Sequence, residues 1–281
     1  MTKELLSAPI CEDLYSKIEN MISENIDTVK RPPRLDIIRF GNDEASIRYT
    51  QMKKKRAGAL GIDARIHIPM VHNTEEAIDF IKSIKVEETD GVMVQLPLPS
   101  NLNEAETLNA IDPTVDVDGL TVNALASIWG QVNKGYISAT PKAVIKLLDS
   151  YEVVLKSKEI LVINDSPHIG RQLAGYFLNQ EATVVIAHKE SKELSRLARS
   201  ADIVVSATGV AGLIDFELKD QVLVIDIGIS KNDEGKLVGD LDLSCLPESG
   251  MYTPVKGGIG PLTVASLLEN CVISWLNSTS K

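Results

Sequence analysis

A chain of 281 residues is too long for one small domain and suits two domains of ordinary size, each able to bury its own core. Apolar residues make up 44% but aromatics only 4%, so the cores must be built from aliphatic side chains, as in buried parallel strands. The formal charge of −10 argues against a nucleic-acid or anionic-membrane surface, since either needs a concentrated basic patch; an anionic ligand must then be held by local donors.

Ile10, Leu14, Ile18 and Ile22 recur every four residues and predict an amphipathic helix after Pro9 that ends before Arg31-Pro32-Pro33. Residues 35–40 read as a short buried strand, and Gly41-Asn42-Asp43 as a turn into a helix over 43–60, closed by Gly61. On that helix Tyr49 and Lys53 lie four apart and share a face, pairing a flat stacking surface with a proton carrier. Taken alone, Lys53 only opens the run Lys53-Lys54-Lys55-Arg56, which reads equally well as a solvated face. A second strand is expected over 65–69, a helix from the cap at Thr74 through Lys82, and an apolar strand over 91–96 that Pro97 must end. Repeated β-α-β implies a largely parallel sheet, whose ligands collect beyond the carboxyl ends of the strands. Gln95 lies at such an end, within reach of Lys53, although on its own it is an ordinary polar residue before a Pro-rich turn.

Residues 112–119 form a turn-rich acidic loop with too few further oxygen ligands for calcium. The chain crosses into a second domain near Ser138, with Pro141 starting a helix through Leu148. Residues 159–163 are the first strand of a nucleotide-binding unit, followed by Asn164-Asp165-Ser166-Pro167-His168-Ile169-Gly170-Arg171 and a helix to Leu178. Only Gly170 is a glycine here, so this is not a G-x-G-x-x-G; asparagine tolerates positive φ, and the helix N-terminus can still receive a pyrophosphate. Strands follow at 183–187, 203–206 and 222–226, with a helix at 192–200, and 227–242 reads as strand and hairpin. The glycines of 257–261 permit close backbone approach before a helix over 262–276. Cys11, Cys245 and Cys271 are odd in number and lack a C-x-x-C pair, and the four histidines lack ligand spacing, so neither disulfides nor a metal is expected. The start has no apolar stretch of signal-peptide length and no run reaches the ~18 apolar residues of a membrane span, so a cytoplasmic protein is expected.

Val94-Gln95-Leu96-Pro97-Leu98-Pro99, Asp116-Val117-Asp118-Gly119 and Gly257-Gly258-Ile259-Gly260-Pro261, in that order behind Ser46, Tyr49 and Lys53, resemble the bifunctional methylenetetrahydrofolate dehydrogenase/cyclohydrolase family over nearly the whole chain. The resemblance implies two α/β domains, the second a Rossmann-like parallel sheet, with a cleft between them: a folate-binding catalytic domain of residues 1–138 closed by helix 262–281, and a dinucleotide-binding domain of residues 139–261. It implies oxidation of 5,10-methylenetetrahydrofolate with NADP, or NAD, and hydrolysis of the 5,10-methenyl product to 10-formyltetrahydrofolate, a one-carbon donor for purine biosynthesis.

By that resemblance Lys53 is the acid–base group, Gln95 helps set its protonation state, Tyr49 stacks on the folate, Asp118 bonds the amino-pyrimidine, and Gly258 and Pro261 lie against substrate. The cofactor falls to Asn164, Asp165, Ser166, Gly170, Lys189, Gly228 and Ile229, and a homodimer paired through the second domain is expected. The chain departs from the family pattern at Val115, Leu120, Ala139, Ala143, Asn164, Asp165, Gln172 and Lys256. Asp165 replaces an arginine that helps hold the 2′-phosphate of NADP, while Lys189 stands where a second contact to that phosphate is placed; NADP is favoured, with weakened discrimination. Two rivals are an amino-acid dehydrogenase, which leaves the QLPLP and GGIGP stretches unexplained, and a paralogue that binds folate or nucleotide without dehydrogenase activity.

Overall fold

The computed structural model describes residues 2–131, 135–232 and 234–278. In chain order the first elements are β1 (Lys3–Glu4), α1 (Ala8–Val29), β2 (Arg34–Ile38), α2 (Glu44–Ala59), β3 (Asp63–His67), α3 (Thr74–Ser83), β4 (Gly91–Val94), α4 (Glu104–Leu108) and α5 (Val122–Trp129). Then come α6 (Ala139–Ser150), β5 (Glu159–Ile163), α7 (Gly170–Asn179), β6 (Thr183–Ala187), α8 (Leu194–Ala198), β7 (Ile203–Ser206) and β8 (Leu223–Asp226). The short strands β9 (Ser230–Lys231), β10 (Leu237–Val238) and β11 (Met251–Tyr252) precede the last helix, α9 (Ile259–Ser278).

By their contacts these elements form two compact units. One takes in Glu12–Ser127, a short piece ending at Ala139, and the chain from Val264 onward. Its sheet has the parallel order β3-β2-β4. Alternation sends Ile38, Phe40, Val92 and Val94 to one face, where they pack on Ala77 and Ile81 of α3 and on Leu102 and Leu108. Short polar residues fix the helix starts: Asp43 accepts from the Ser46 N–H at 2.7 Å, and Asn73 from the Glu76 N–H at 2.9 Å while Glu76 reaches back to the His72 N–H.

The other unit holds the residues up to Cys11, a short piece from Ile128, and Thr140–Thr263. It is built on a six-stranded parallel sheet of order β1-β11-β8-β7-β5-β6, with Leu161, Ile163, Val204 and Val224 in an aliphatic core. The first residues belong here because β1 pairs with β11, Lys3 opposite Met251. Two-residue strands such as Lys3–Glu4 carry no alternation for a sequence reading to find.

Three expectations shift. The second strand starts at Asp63 rather than 65, the helix expected over 192–200 shrinks to Leu194–Ala198, and α9 begins at Ile259, three residues early. Pro261 thus sits in the first turn of α9, where its missing N–H breaks no helical bond. α9 is long and apolar enough by length and composition to cross a membrane, but 72% of its most apolar stretch is buried inside the protein. It also carries the buried polar residues Glu269 and Asn270, the first paired with Lys17 at 3.0 Å. It is a core helix, and its Trp275 is fully enclosed with the indole N–H donating to the Arg31 carbonyl at 3.1 Å. Trp275→Ala is expected to cost about 3–5 kcal/mol through the cavity and the orphaned carbonyl, measured as a fall in the urea midpoint at unchanged slope.

Candidate active site

Of the four basic residues in the run on α2, Lys54, Lys55 and Arg56 are exposed and Lys53 is not. The Lys53 amine donates to Gln95 Oε1 at 3.0 Å and lies 3.7 Å from Met93 Sδ. Met93 and Gln95 are two apart at the end of β4 and so face the same side of the sheet. Gln95 is itself fixed, since its Nε2 donates to the Leu96 carbonyl at 2.7 Å; turning the amide over would set N–H against ammonium. Burial pushes the Lys53 amine below its usual range, and the Asp118 carboxylate pulls part of the way back. Tyr49, one turn before Lys53, leaves its ring about half exposed, while Ser46 is buried.

Asp118 is held by its neighbours. Asp116, buried and therefore raised in pKa, accepts from the Leu120 and Thr121 N–H groups at 3.1 and 2.9 Å. Asn270 of α9 donates to the Val117 carbonyl at 2.8 Å, and the Ser138 hydroxyl to the Gly119 carbonyl. Gly119 has φ +64°, and a Cβ there would lie 2.5 Å from the Tyr136 carbonyl oxygen, so the turn tolerates no side chain. Sequence reading missed Asp116 and Asn270 as supports, although an asparagine inside an otherwise apolar helix was a usable signal.

In the other unit the loop after β5 turns on Asn164, but not through positive φ: Asn164 is absent from the left-handed residues. Its Oδ1 accepts from the Ser166 N–H at 2.9 Å, the Ser166 hydroxyl at 2.7 Å and the Gly170 N–H at 3.1 Å, and its Nδ2 donates to the Ala207 carbonyl at 2.8 Å. Any side chain at Gly170 would collide with the Asn164 carbonyl. Asp165 is exposed and makes no ion pair with Lys189; Arg171 Nε donates to its backbone carbonyl at 2.8 Å. Lys189 is exposed just beyond β6. Gly228 follows β8, with its N–H on Asp226 Oδ1 at 3.0 Å, and Ile229 is half exposed. Farther on, the Gly257 carbonyl accepts from the Ser7 N–H and hydroxyl at 2.8 and 3.0 Å, Gly258 has no room for a Cβ beside the Pro254 carbonyl, and Pro261 is exposed.

Asp226 and Asp240 were not foreseen. Both are buried, and burial, with Asp240 as a nearby like charge, pushes the Asp226 carboxyl up to about 6. Because that value exceeds the 3.8 of an unfolded chain, the folded protein binds the extra proton between them, so the contribution of this one group to stability is fully present below about pH 4 and is lost as pH rises through about 6. A loss on the order of 2–3 kcal/mol over that window is expected in wild type, and denaturant midpoints measured from pH 4 to 7 should lose this component in Asp226→Asn.

Residues 5–118 match the family model for the tetrahydrofolate dehydrogenase/cyclohydrolase catalytic domain, and residues 138–279 that for the NAD(P)-binding domain of the same family. The bifunctional protein FolD of Lactobacillus acidophilus is 41% identical over 265 residues, covering 93% of this chain and 91% of that protein. That of Hydrogenobaculum is 36% identical, covering 92% and 95%. Among solved structures, the bifunctional FolD enzyme of Campylobacter jejuni superposes with a TM-score of 0.92 at 30% identity over 99% of both chains. The Trypanosoma brucei dehydrogenase-cyclohydrolase, solved with NADP and an inhibitor, gives 0.91 at 26% over 100% and 99%. Two domain matches in order, and relatives of this identity over nearly full length, mean that the chain belongs to the tetrahydrofolate dehydrogenase/cyclohydrolase family.

Proposed function

We propose that this protein oxidises 5,10-methylenetetrahydrofolate to the 5,10-methenyl cation and hydrolyses that cation to 10-formyltetrahydrofolate. The observation that carries the reading is the partly buried Lys53 amine held by Gln95 on the helix that also presents Tyr49. Loss of hydride leaves a cation delocalised over two ring nitrogens, so the first step asks for positioning rather than proton transfer, and Tyr49 stacking with Asp118 on the amino-pyrimidine supplies it. Hydrolysis does ask for proton transfer. The lowered pKa raises the share of Lys53 that is neutral and able to take a proton as water bonds to the methenyl carbon; the ammonium so formed then protonates the ring nitrogen as its bond to that carbon breaks. Gln95 aims the amine throughout.

The loop after β5 fits a dinucleotide. Gly170 lets the backbone fold tightly, and the N-terminus of α7 opens directly from it. NADP or NAD, when bound, supplies the hydride acceptor. Asn164, Ser166, Gly170, Gly228 and Ile229 would hold it, and Asp165 and Lys189 would meet its 2′ group. NADP is the preferred form, because Lys189 is exposed with no ion pair among the described residues and an exposed carboxylate costs a dianion at most about 1 kcal/mol. We assign the protein to the cytoplasm, serving purine biosynthesis, as a homodimer paired through the larger sheet. The edge strand β6, with Val185 exposed, supports that pairing, and sedimentation as a monomer at micromolar concentration would overturn it.

Lys53→Met is expected to abolish cyclohydrolase activity while folate still binds; equal loss of both would return Lys53 to a structural role. Asp118→Ala is expected to act the other way, weakening folate binding by about 1–3 kcal/mol in a titration. Initial rates at matched cofactor concentrations should favour NADP, and Lys189→Ala should remove the preference. An NAD preference reversed by Asp165→Arg would show that the carboxylate decides instead.

A further inference from the structure

Two buried aspartates join the ends of three segments around β7 and β8. Asp226, the last residue of β8, accepts three backbone N–H groups: Gly228 at 3.0 Å and Asp240 at 3.1 Å on Oδ1, and Leu241 at 3.0 Å on Oδ2. Asp240 Oδ2 accepts the Ser206 hydroxyl at 2.6 Å, the Thr208 N–H at 2.7 Å and the Thr208 hydroxyl at 2.9 Å. Thr253, just after β11, completes the frame, its hydroxyl taking the Asp226 N–H at 2.8 Å. The glycines are reciprocal: a Cβ on Gly228, two residues after Asp226, would strike Asp240, and a Cβ on Gly239, one residue before Asp240, would strike Asp226.

This arrangement is costly as mere packing. Two carboxyl groups are taken out of water side by side, one raised to about 6, and Asp240 Oδ1 is buried with no hydrogen-bond partner among the described residues. Apolar residues would fill the same space more cheaply. What they could not do is fix three N–H vectors and the exits of two strands at once, at the carboxyl edge of a parallel sheet, where the half-exposed Ile229 begins.

We propose that Asp226 and Asp240 are positioning residues for the dehydrogenase step, a bracket that sets the backbone of Gly228 and Ile229 against the nicotinamide and leaves the hydrolytic step untouched. The inference rests on the reading of Gly228 and Ile229 as cofactor-flanking. It also separates the two activities of one chain, since hydrolysis of added methenyltetrahydrofolate needs no dinucleotide.

The test is Asp226→Asn. Both oxygens of Asp226 are acceptors, so an amide must set its own N–H against one of the backbone donors. Hydrogen exchange of the unliganded variant should quicken over residues 227–241 and at Thr208, with the rest of the chain protected as in wild type. Dehydrogenase kcat should fall by about 10–100-fold while the cofactor KM moves about threefold or less, as expected when geometry rather than binding is lost. Cyclohydrolase rates without cofactor should stay within about twofold. Ser206→Ala, which removes one donor from Asp240 and is a milder change should Asp226→Asn not fold, should shift exchange and kcat in the same direction by less. Parallel loss of both activities, or unchanged exchange over 227–241, would overturn the bracket. Wild-type protein lacking dehydrogenase activity would instead sink the functional reading, and the exchange data would still decide whether the two aspartates hold this segment.

Discussion

A parallel strand that stops at a functional edge leaves backbone N–H groups with no neighbouring strand to receive them, and in this protein short polar side chains take that place. Asn164 does so after β5, Asp226 at the end of β8, and Asp116 beside β4, each accepting from two or three groups in the loop it begins. Unsatisfied buried amides are expensive, so these captures are what let irregular backbone persist beside a dry sheet. The loops that carry Asp118, the turn into α7, and Gly228 owe their shapes to them.

The same low-dielectric setting acts on Lys53 with the opposite sign. A sheet edge that strengthens hydrogen bonds penalises an ammonium, and Gln95 and the Asp118 carboxylate offset part of the penalty. A lysine left in water among Lys54, Lys55 and Arg56 would stay charged at neutral pH. Turning a single member of a basic run inward is sufficient to make it a different chemical group.

Much of this was legible beforehand. β5, β6 and β7 lie where aliphatic runs bounded by polar residues placed them, and Tyr49, Lys53 and Gln95 share a site because helical and strand periods are fixed by geometry. Sequence could not decide whether Lys53 faced in or out, because four consecutive basic residues carry no periodicity. Asn164 was read for its tolerance of positive φ, whereas it acts through its amide, which no local pattern reveals. Asp226 and Asp240 escaped notice for a related reason: they are fourteen positions apart, and each looks like the polar end of a strand or hairpin until the fold brings both beneath Gly228. The two-residue strands β1 and β11 are too short to alternate at all.

The reciprocal glycines bear on how this segment can change over evolutionary time. Gly228 is constrained by Asp240 and Gly239 by Asp226, so a methyl at either glycine is blocked unless the opposing carboxylate also retreats; a shorter residue at Asp226 abandons the N–H groups of Gly228, Asp240 and Leu241, and one at Asp240 abandons Ser206 and Thr208. Single steps away from this quartet are all uphill. Drift across 226–241 should therefore be coupled at these four positions, as it should be between Asn164 and the Gly170 that closes against it in the loop after β5.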